Sequence, residues 1–197
     1  FPFILLERKY ISDPESENTL GVHLRPGGRK LLSGLCGTGF PGSLDGALES
    51  GVDWSESESG ELVGTDWSFE RFPVCHTPET DPHGYEFVHS SGFRLLHCGD
   101  SGPCEGIEQR APNANAVLLE MGIPDFVDSP NHHTPSDAIT FAQRHPHALV
   151  LVTHNFASAT GVEAGFRMPD LPDSIIQLED GDYLDIGDDG QLSLQRN

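Results

Sequence analysis

The sequence predicts one α/β domain, covering residues 1–197, around a mixed and mostly buried β-sheet. Three observations support this fold class. Short apolar segments separated by turn residues begin at Phe69, a well-capped amphipathic helix is expected from Thr134 to His145, and the run from Ala148 to Thr153 is continuously apolar. The last pattern is typical of a strand covered on both faces, as in parallel sheets. A chain of 197 residues is long enough to bury a substantial core.

The first third of the chain is expected to contain two helices and polar loops. The apolar cluster from Phe1 to Tyr10 predicts a helix, whereas the polar stretch Asp13 to Asn18 contains a proline and predicts a loop. Glycines recur throughout the stretch from Gly21 to Gly39, which contains one short apolar run. Ser43 can cap a helix that continues to about Glu49. We predict a surface loop for the acidic, serine-rich stretch Asp53 to Gly60.

Strands and one clear helix are expected from Phe69 onward. Thr134 is a good N-cap, Pro135 suits the first helical position, and Asp137 lies in the first turn, so a helix follows. The tail after Ser174 alternates as strands do and has a turn signal at Asp188-Asp189-Gly190, which predicts a hairpin rather than a calcium loop. Strand composition marks four further segments: Phe69 to His76, Tyr85 to Val88, Phe93 to His97 and Ala116 to Met121.

The charge balance gives a first indication of the substrate class. The formal net charge is −20, from 31 acidic residues against 11 lysines and arginines. A surface that follows a phosphate backbone is normally basic, so this balance disfavours nucleic acid and favours a small-molecule ester or phosphodiester as the substrate. We interpret the excess of carboxylates as a solvating acidic surface.

Two further expectations concern compartment and cysteine use. No run of eighteen or more apolar residues exists, and F-P-F-I-L-L-E-R-K-Y resembles no secretory leader, so we expect a cytoplasmic protein without a membrane partner. Four scattered cysteines are too few for a disulfide framework. Cys98 and Cys104 lie close to Asp100 and can in principle join a metal site, although a buried free thiol is the more common outcome.

Candidate metal ligands stand where predicted strands end and loops begin. They are His76, Asp100, His133 and His154. Imidazole and carboxylate groups are the usual ligands of hydrolytic metal sites, which hold a metal ion on a rigid scaffold and leave one position open for water. An aspartate can bridge two cations through its two oxygens, and a further imidazole can donate a proton in the transition state. Each residue alone is more often a surface or turn residue.

Five segments, taken together and in order, resemble the metallo-β-lactamase superfamily, and most closely its ribonuclease Z-like branch. The segments are V-C-H-T-P-E-T, G-Y-E-F, H-C-G-D-S-G-P-C-E, H-T-P-S-D-A-I-T-F-A and L-V-L-V-T-H-N-F, and they extend from about Phe69 to Phe156. The resemblance implies an αββα sandwich that hydrolyses esters, lactams or phosphodiesters with one or two divalent metal ions. Zinc is the usual metal, with manganese or iron as alternatives.

The resemblance also implies a role for each candidate residue. His76 matches the histidine that completes the first metal site, Asp100 the bridging aspartate, and His154 the last histidine of the second site. His133 matches a histidine that contacts the reacting phosphate in the ribonuclease Z-like branch. The expected catalytic residues are therefore His133 and Asp100, and the expected metal ligands are His76, Asp100 and His154.

One motif of the superfamily is absent from the sequence. The pattern H-x-H-x-D-H, which supplies most of the remaining ligands, occurs nowhere in the chain. We therefore expect a fold that lacks the superfamily's N-terminal strands. The leading hypothesis is a metal-dependent hydrolase. The alternatives are a non-catalytic binding or scaffold protein, and a fragment whose site is completed by another chain; a homodimer is one possible assembly.

Overall fold

A computed structural model of the chain describes residues 1–12, 18–155, 170–187 and 191–196. These residues form two compact units, Phe1–Thr65 and Asp66–Asn197. The α/β class is confirmed, because helices and a mixed sheet occur together, whereas the single-domain organisation stays a prediction. Every helix in the described ranges is too short or too polar to span a membrane.

The first unit contains a small parallel sheet with helices around it. Strands β1 and β2 pair in parallel, with Leu20 opposite Val52. Leu5 and Cys36 join Val52 in the small buried core of this unit. The elements are α1 (Pro2–Glu7), a π-helical turn (Arg8–Ser12), β1 (Leu20–Leu24), α2 (Gly28–Gly39), α3 (Asp45–Ser50), β2 (Val52–Glu56) and β3 (Ser59–Glu61).

The structure contains elements here that were not predicted from the sequence. The glycine-interrupted stretch 21–39 contains β1 and α2, because burial of Cys36 on one helix face stabilises a helix that its glycines disfavour. The predicted loop over 53–60 is wrong, since β2 buries Val52 and packs Trp54 against the same core. The helix after Ser43 exists, but its N-cap is Leu44, which provides no side-chain cap.

The second unit is built on six strands that lie side by side in the order β4-β5-β6-β7-β8-β9. Strand β5 is antiparallel to both β4 and β6, while β6 to β9 run parallel to one another. Strand β4 therefore runs in the same direction as β6, β7 and β8. The strands of this sheet are β4 (Trp67–Pro73), β5 (His83–His89), β6 (Arg94–His97), β7 (Ala116–Glu120), β8 (Leu149–Thr153) and β9 (Ile175–Gln177). Two further strands, β10 (Tyr183–Ile186) and β11 (Leu192–Gln195), form a separate two-stranded sheet.

Two helices of this unit contribute to its core. Helix α4 (Glu105–Arg110) buries Ile107, and helix α5 (Pro135–Arg144) buries Phe141, in one cluster with Leu119 and Val152 of the sheet. Short 3₁₀ turns occur at Pro78–Thr80 and Ala111–Asn113. The described residues of the unit therefore share one apolar core, to which both helices and the central strands contribute.

Most strand and helix predictions for this unit are confirmed. The four short strands and the apolar strand β8 are present, and α5 begins with the expected cap at Thr134. In the structure this cap is a capping box, in which the side chains of Thr134 and Asp137 accept hydrogen bonds from each other's backbone amides. The tail strands β10 and β11 pair in antiparallel fashion, as a hairpin requires. The predicted turn at residues 188–190 lies outside the described residues. Helix α4 was not predicted, because its six residues contain a single apolar side chain.

Two glycines allow backbone segments to approach more closely than a side chain permits. A Cβ atom on Gly106 would lie 2.4 Å from the carbonyl oxygen of Pro73, at the point where α4 meets the end of β4. A Cβ atom on Gly84 would lie 2.9 Å from the carbonyl oxygen of His97. Backbone atoms cannot turn away as a flexible side chain can, so α4 depends on glycine at this contact.

Gly106→Ala is expected to destabilise the protein by about 1–3 kcal/mol, because α4 must shift away from Pro73. Gly34→Ala is the matched control, since an added Cβ there meets no atom within 4 Å in α2. The control is expected to raise the free energy of unfolding by about 0.5–1 kcal/mol through helix propensity. Urea unfolding of both variants measures the difference, and equal stability for Gly106→Ala and the parent would contradict the contact.

A second prediction concerns the ion pairs of Glu108, which link α4 to α5. Burial raises the pKa of the Glu108 carboxyl, but hydrogen bonds from Arg144 and His145 outweigh burial and leave this pKa below its usual value of 4.5. A lowered folded pKa contributes stability above the unfolded pKa and loses it as the pH falls through the folded value. Glu108→Gln is therefore expected to reduce stability at neutral pH and to have little effect in acid.

The expected loss at pH 7 is about 0.5–1 kcal/mol, because the side chain is 34% exposed and solvent screens its ion pairs. Urea titrations at several pH values, down to a pH of about 3, measure the difference between variant and parent. Glu105→Gln on the same helix is the control, because Glu105 is bonded only to Gln109 among the contacts described. A pH-independent effect of Glu108→Gln would contradict the role of its charge.

Candidate metal centre

The candidate ligands meet at one edge of the six-stranded sheet. Strands β4, β6, β7 and β8 run in the same direction, so their carboxyl ends share an edge. His76 and Asp100 follow β4 and β6, Glu120 is the last residue of β7, and His154 immediately follows β8. His132 reaches the same group from the loop before α5. The topology thus places four strand-end side chains and one loop histidine around a common space.

The carboxylate of Glu120 is at the centre of this group and is 1% exposed. The amide of His133 donates to its Oε1 at 2.9 Å, and the amide of Gly122 donates to its Oε2 at 2.5 Å. The backbone of Ser101 provides a further hydrogen bond. Burial raises the pKa of Glu120 to about 7, although these hydrogen bonds and His154 act to lower it.

Two imidazoles lie against the Glu120 carboxylate. His132 Nδ1 is 3.1 Å from Oε1, and His154 Nδ1 is 3.8 Å from Oε2. His154 Nδ1 is also 3.2 Å from Asp100 Oδ1. The side chains of His154 and Asp100 are at least half exposed, whereas Glu120 is enclosed, so the site is open on one side. A substrate therefore has access from the side of Asp100 and His154.

The donor set fits a divalent metal ion. Ligand atoms of Glu120, His132 and His154 all lie within 4.8 Å of one another, as a common metal ion requires. Two imidazole nitrogens and one carboxylate oxygen form a ligand set used by catalytic zinc sites. Manganese and iron also accept this mixture of nitrogen and oxygen donors. The residues present therefore support a divalent metal without specifying which one.

Three of the four residues singled out in the sequence lie close to this group. Asp100 and His154 are in direct contact, and the ring centroid of His76 lies 4.9 Å from that of His132, edge to face. The roles of His76, Asp100 and His154 as metal ligands stay predictions, although their positions agree with them. The centroid of the His132 ring also lies 5.9 Å from that of His154, so His132 is close to both His76 and His154.

His133 does not bring its ring into this group. The side chain is 2% exposed, and its Nδ1 donates to the carbonyl oxygen of Ser101 at 2.5 Å. Burial lowers the pKa of the imidazole, which favours the neutral ring. His133 therefore bonds the loop that carries Asp100, whereas the ring of its neighbour His132 lies against Glu120. The catalytic role expected for His133 stays a prediction.

Close backbone approach shapes the site as much as the side chains do. A Cβ atom on Gly122 would lie 2.7 Å from Glu120 Oε2, 3.2 Å from His132 Nδ1 and 3.4 Å from His154 Nδ1. A Cβ atom on Gly102 would lie 1.9 Å from the carbonyl oxygen of Pro130. Glycine at both positions lets the loops after β6 and β7 close around the ligands.

His154 adopts a backbone conformation that few side chains adopt. Its φ angle is +51°, and among the described non-glycine residues only Asp81 shares a positive φ. Such a conformation costs about 1–3 kcal/mol for residues other than glycine and often marks a functional site. The turn directs the imidazole towards Asp100 and Glu120 immediately after β8 ends.

Two site residues, Glu120 and His132, were not selected from the sequence. Glu120 lies at the end of an apolar strand, and a single carboxylate at a strand end is the sequence signal that points to it. For His132, the choice between two adjacent histidines depends on which side chain points into the core, and sequence alone does not show this. In the structure, the side chain of His132 is 25% exposed and that of His133 is buried.

No family model matches the chain, but curated proteins do. A segment of 115 residues is 31% identical to zinc phosphodiesterase ELAC protein 2 of Mus musculus, covering 54% of this chain and 14% of that protein. A segment of 138 residues is 29% identical to ribonuclease Z 1 of Schizosaccharomyces pombe, covering 68% of this chain and 15% of that protein. The chain thus spans about one seventh of the length of these relatives.

These relatives correct the substrate prediction drawn from charge. The net charge of −20 disfavoured nucleic acid and favoured a small-molecule substrate, yet one relative is named as a ribonuclease. That prediction is therefore wrong. The physical reason is that net charge sums over the whole surface, whereas a polyanion contacts only one region of it.

The fold resembles solved structures as well. The metallo-β-lactamase fold protein YhfI from Bacillus subtilis superimposes with a TM-score of 0.58 at 12% identity, over 77% of this chain and 57% of that chain. At such low identity the match shows the fold alone, and it confirms the predicted fold class. Together with the sequence relatives, it confirms the resemblance of this chain to the metallo-β-lactamase superfamily and, within it, to the ribonuclease Z-like branch.

Proposed function

We propose that this chain carries the metal site of a metal-dependent phosphodiesterase that acts on RNA. The observation that supports the proposal best is the convergence of Glu120, His132 and His154 within 4.8 Å, beside Asp100, at the carboxyl edge of a sheet. Relatives named zinc phosphodiesterase and ribonuclease Z support the reaction class and the substrate class. Metal-dependent hydrolysis of a phosphodiester fits a site with one buried carboxylate and one side open to solvent.

The chain's own residues would divide the work as follows. Glu120, His132 and His154 would hold the metal, with Asp100 and His76 as further ligands at the same edge. When bound, a divalent metal lowers the pKa of water and polarises the scissile phosphate. The backbone amides on Glu120 fix its carboxylate, and thereby the orientation of His132. The exposed sides of Asp100 and His154 leave space for a phosphodiester.

A local basic segment offers a surface for RNA despite the acidic total. Arg25, Arg29 and Lys30 are all exposed and lie within six residues of one another in the first unit. Phosphate contacts need only a few such cations. This local cluster of cations is compatible with a nucleic acid as the substrate.

Metal binding is the first test of the proposal. The purified chain, dialysed against zinc or manganese and measured by mass spectrometry, is expected to bind the metal with at least one ion per chain. His132→Ala and His154→Ala are each expected to weaken binding about 10-fold or more, because each removes a ligand. His147→Ala is the matched control, since His147 precedes β8 at the opposite end of the strand from His154. It is expected to bind metal as the parent does.

His133→Ala distinguishes the two adjacent histidines. It is expected to lower thermal stability, because His133 is buried and bonded to Ser101, while metal binding per folded molecule changes little. Turnover of an RNA oligonucleotide and of bis-p-nitrophenyl phosphate then tests activity. A chain that binds no metal contradicts the proposal, and a metal-bound chain that is inert supports a site completed by another polypeptide that carries the H-x-H-x-D-H motif.

Gly122→Ala tests the compact arrangement of the site. The added Cβ would collide with Glu120 Oε2 at 2.7 Å and crowd both histidine rings. The variant is expected to lose about 1–3 kcal/mol of stability and to bind metal more weakly than the parent. Gly37→Ala is the control, because its Cβ meets no atom within 4 Å. Unchanged metal affinity in Gly122→Ala would show that the ligands are not arranged around this glycine.

A further inference from the structure

We propose that Cys75 and Cys104 form a reversible disulfide that ties the end of β4 to the loop carrying Asp100. This site is independent of the proposed hydrolytic function, because it requires only the two thiols and an oxidant. All four cysteines are reduced in the structure. Neither the comparisons nor the predicted ligand set assigns a role to this pair.

The backbone already joins the two segments that the disulfide would connect. Cys75 forms an isolated antiparallel bridge with Gly102, and the amide of Gly102 donates to the carbonyl oxygen of Cys75 at 2.8 Å. Cys104 stands two residues further along, at the N-cap of α4. The thiols of Cys75 and Cys104 are in hydrogen-bonding contact. Closing the bond therefore requires a small movement of two side chains on segments that are already paired.

Accessibility distinguishes this pair from the other cysteines. Cys75 is exposed and Cys104 is half-buried, whereas Cys36 and Cys98 are completely buried at 0% exposure. Cys36 lies in the core of the first unit, and Cys98 lies in the core of the second unit. An oxidant in solution can therefore reach Cys75 first. The thiol of Cys104 is in contact with Cys75 and can then close the disulfide.

The chemistry is a two-step thiol–disulfide exchange with a low-molecular-weight disulfide such as oxidised glutathione. The Cys75 thiolate attacks one sulfur of the oxidant, the oxidant's S–S bond breaks, and one glutathione thiol leaves. The Cys104 thiolate then attacks the sulfur of Cys75 and expels the second glutathione. The protein loses two protons and two electrons, and the oxidant is reduced to two thiols.

The bond would enclose the stretch that carries two site residues. The closed loop of about 30 residues contains His76 next to one end and Asp100 near the other. The disulfide would keep the existing bridge between Cys75 and Gly102 and hold both segments in place when the rest of the unit begins to open. It would therefore act as a redox-dependent clamp on this edge of the sheet.

The experiment uses the full chain incubated with oxidised glutathione. The exchange is run at a pH of about 8.5, because the thiolate is the attacking species and mildly alkaline pH increases its fraction. Intact mass spectrometry is expected to show a loss of about 2 Da in the monomer. Peptide mapping is expected to locate the bond between Cys75 and Cys104. Dithiothreitol is expected to reverse it.

The oxidised chain is expected to melt about 5 °C higher than the reduced chain, since the cross-link restricts the unfolded state. Cys75→Ser and Cys104→Ser are each expected to abolish both the mass loss and the shift in melting temperature. Cys36→Ala retains the pair and is expected to keep both. A stable glutathione adduct at Cys75 without closure, a bond to Cys98, or a disulfide between two chains would each overturn the proposal.

Discussion

The burial of one carboxylate, that of Glu120, is the constraint on which the rest of the site depends. A carboxylate removed from water is unfavourable unless hydrogen bonds or cations compensate for the lost solvation. Here the amides of His133, Gly122 and Ser101 converge on it from three different segments. Each amide fixes the position of a loop, and two of these loops carry His132 and Asp100. The buried carboxylate of Glu120 therefore holds these loops in place, in addition to its proposed role as a metal ligand.

The parallel arrangement of the strands explains how distant parts of the sequence reach this carboxylate. Strands β6, β7 and β8 end at the same edge because the connections between them return the chain to the opposite edge. Glycine then lets the loops close, since Gly102 and Gly122 lie where any side chain would collide with neighbouring atoms. The positive φ of His154 completes the arrangement by turning its imidazole back over the strand ends.

Much of the second unit could be predicted from the sequence, because its signals are local. The capping box at Thr134 and the continuous apolar run of β8 each specify an element through neighbouring residues. The first unit could not be predicted in this way. Strand β2 is polar and acidic, and it pairs with β1 across roughly thirty residues of intervening chain, so its structure depends on a partner distant in sequence.

The site was predictable to the extent that its residues stand at strand ends. His76, Asp100 and His154 have this signal, and all three lie at the expected edge. The adjacent histidines His132 and His133 show the limit, because the direction of each side chain in the loop is decided by packing against Glu120 and Ser101. The misleading charge argument has a similar origin, since total charge carries no information about how the charges are distributed.

The antiparallel strand β5 has a consequence for how this molecule can change. The turn between β5 and β6, at Ser90-Ser91-Gly92, lies at the amino edge of β6, opposite the edge where the candidate ligands meet. Its geometry depends on Gly92, at a φ of +91°, on local hydrogen bonds, and on one bond from the amide of Ser90 to the carbonyl oxygen of Asp66. Insertions can accumulate at this turn without moving any candidate ligand, whereas the loops at the other edge must keep their lengths. The sheet thus separates an edge that is free to vary from an edge whose chemistry restricts it.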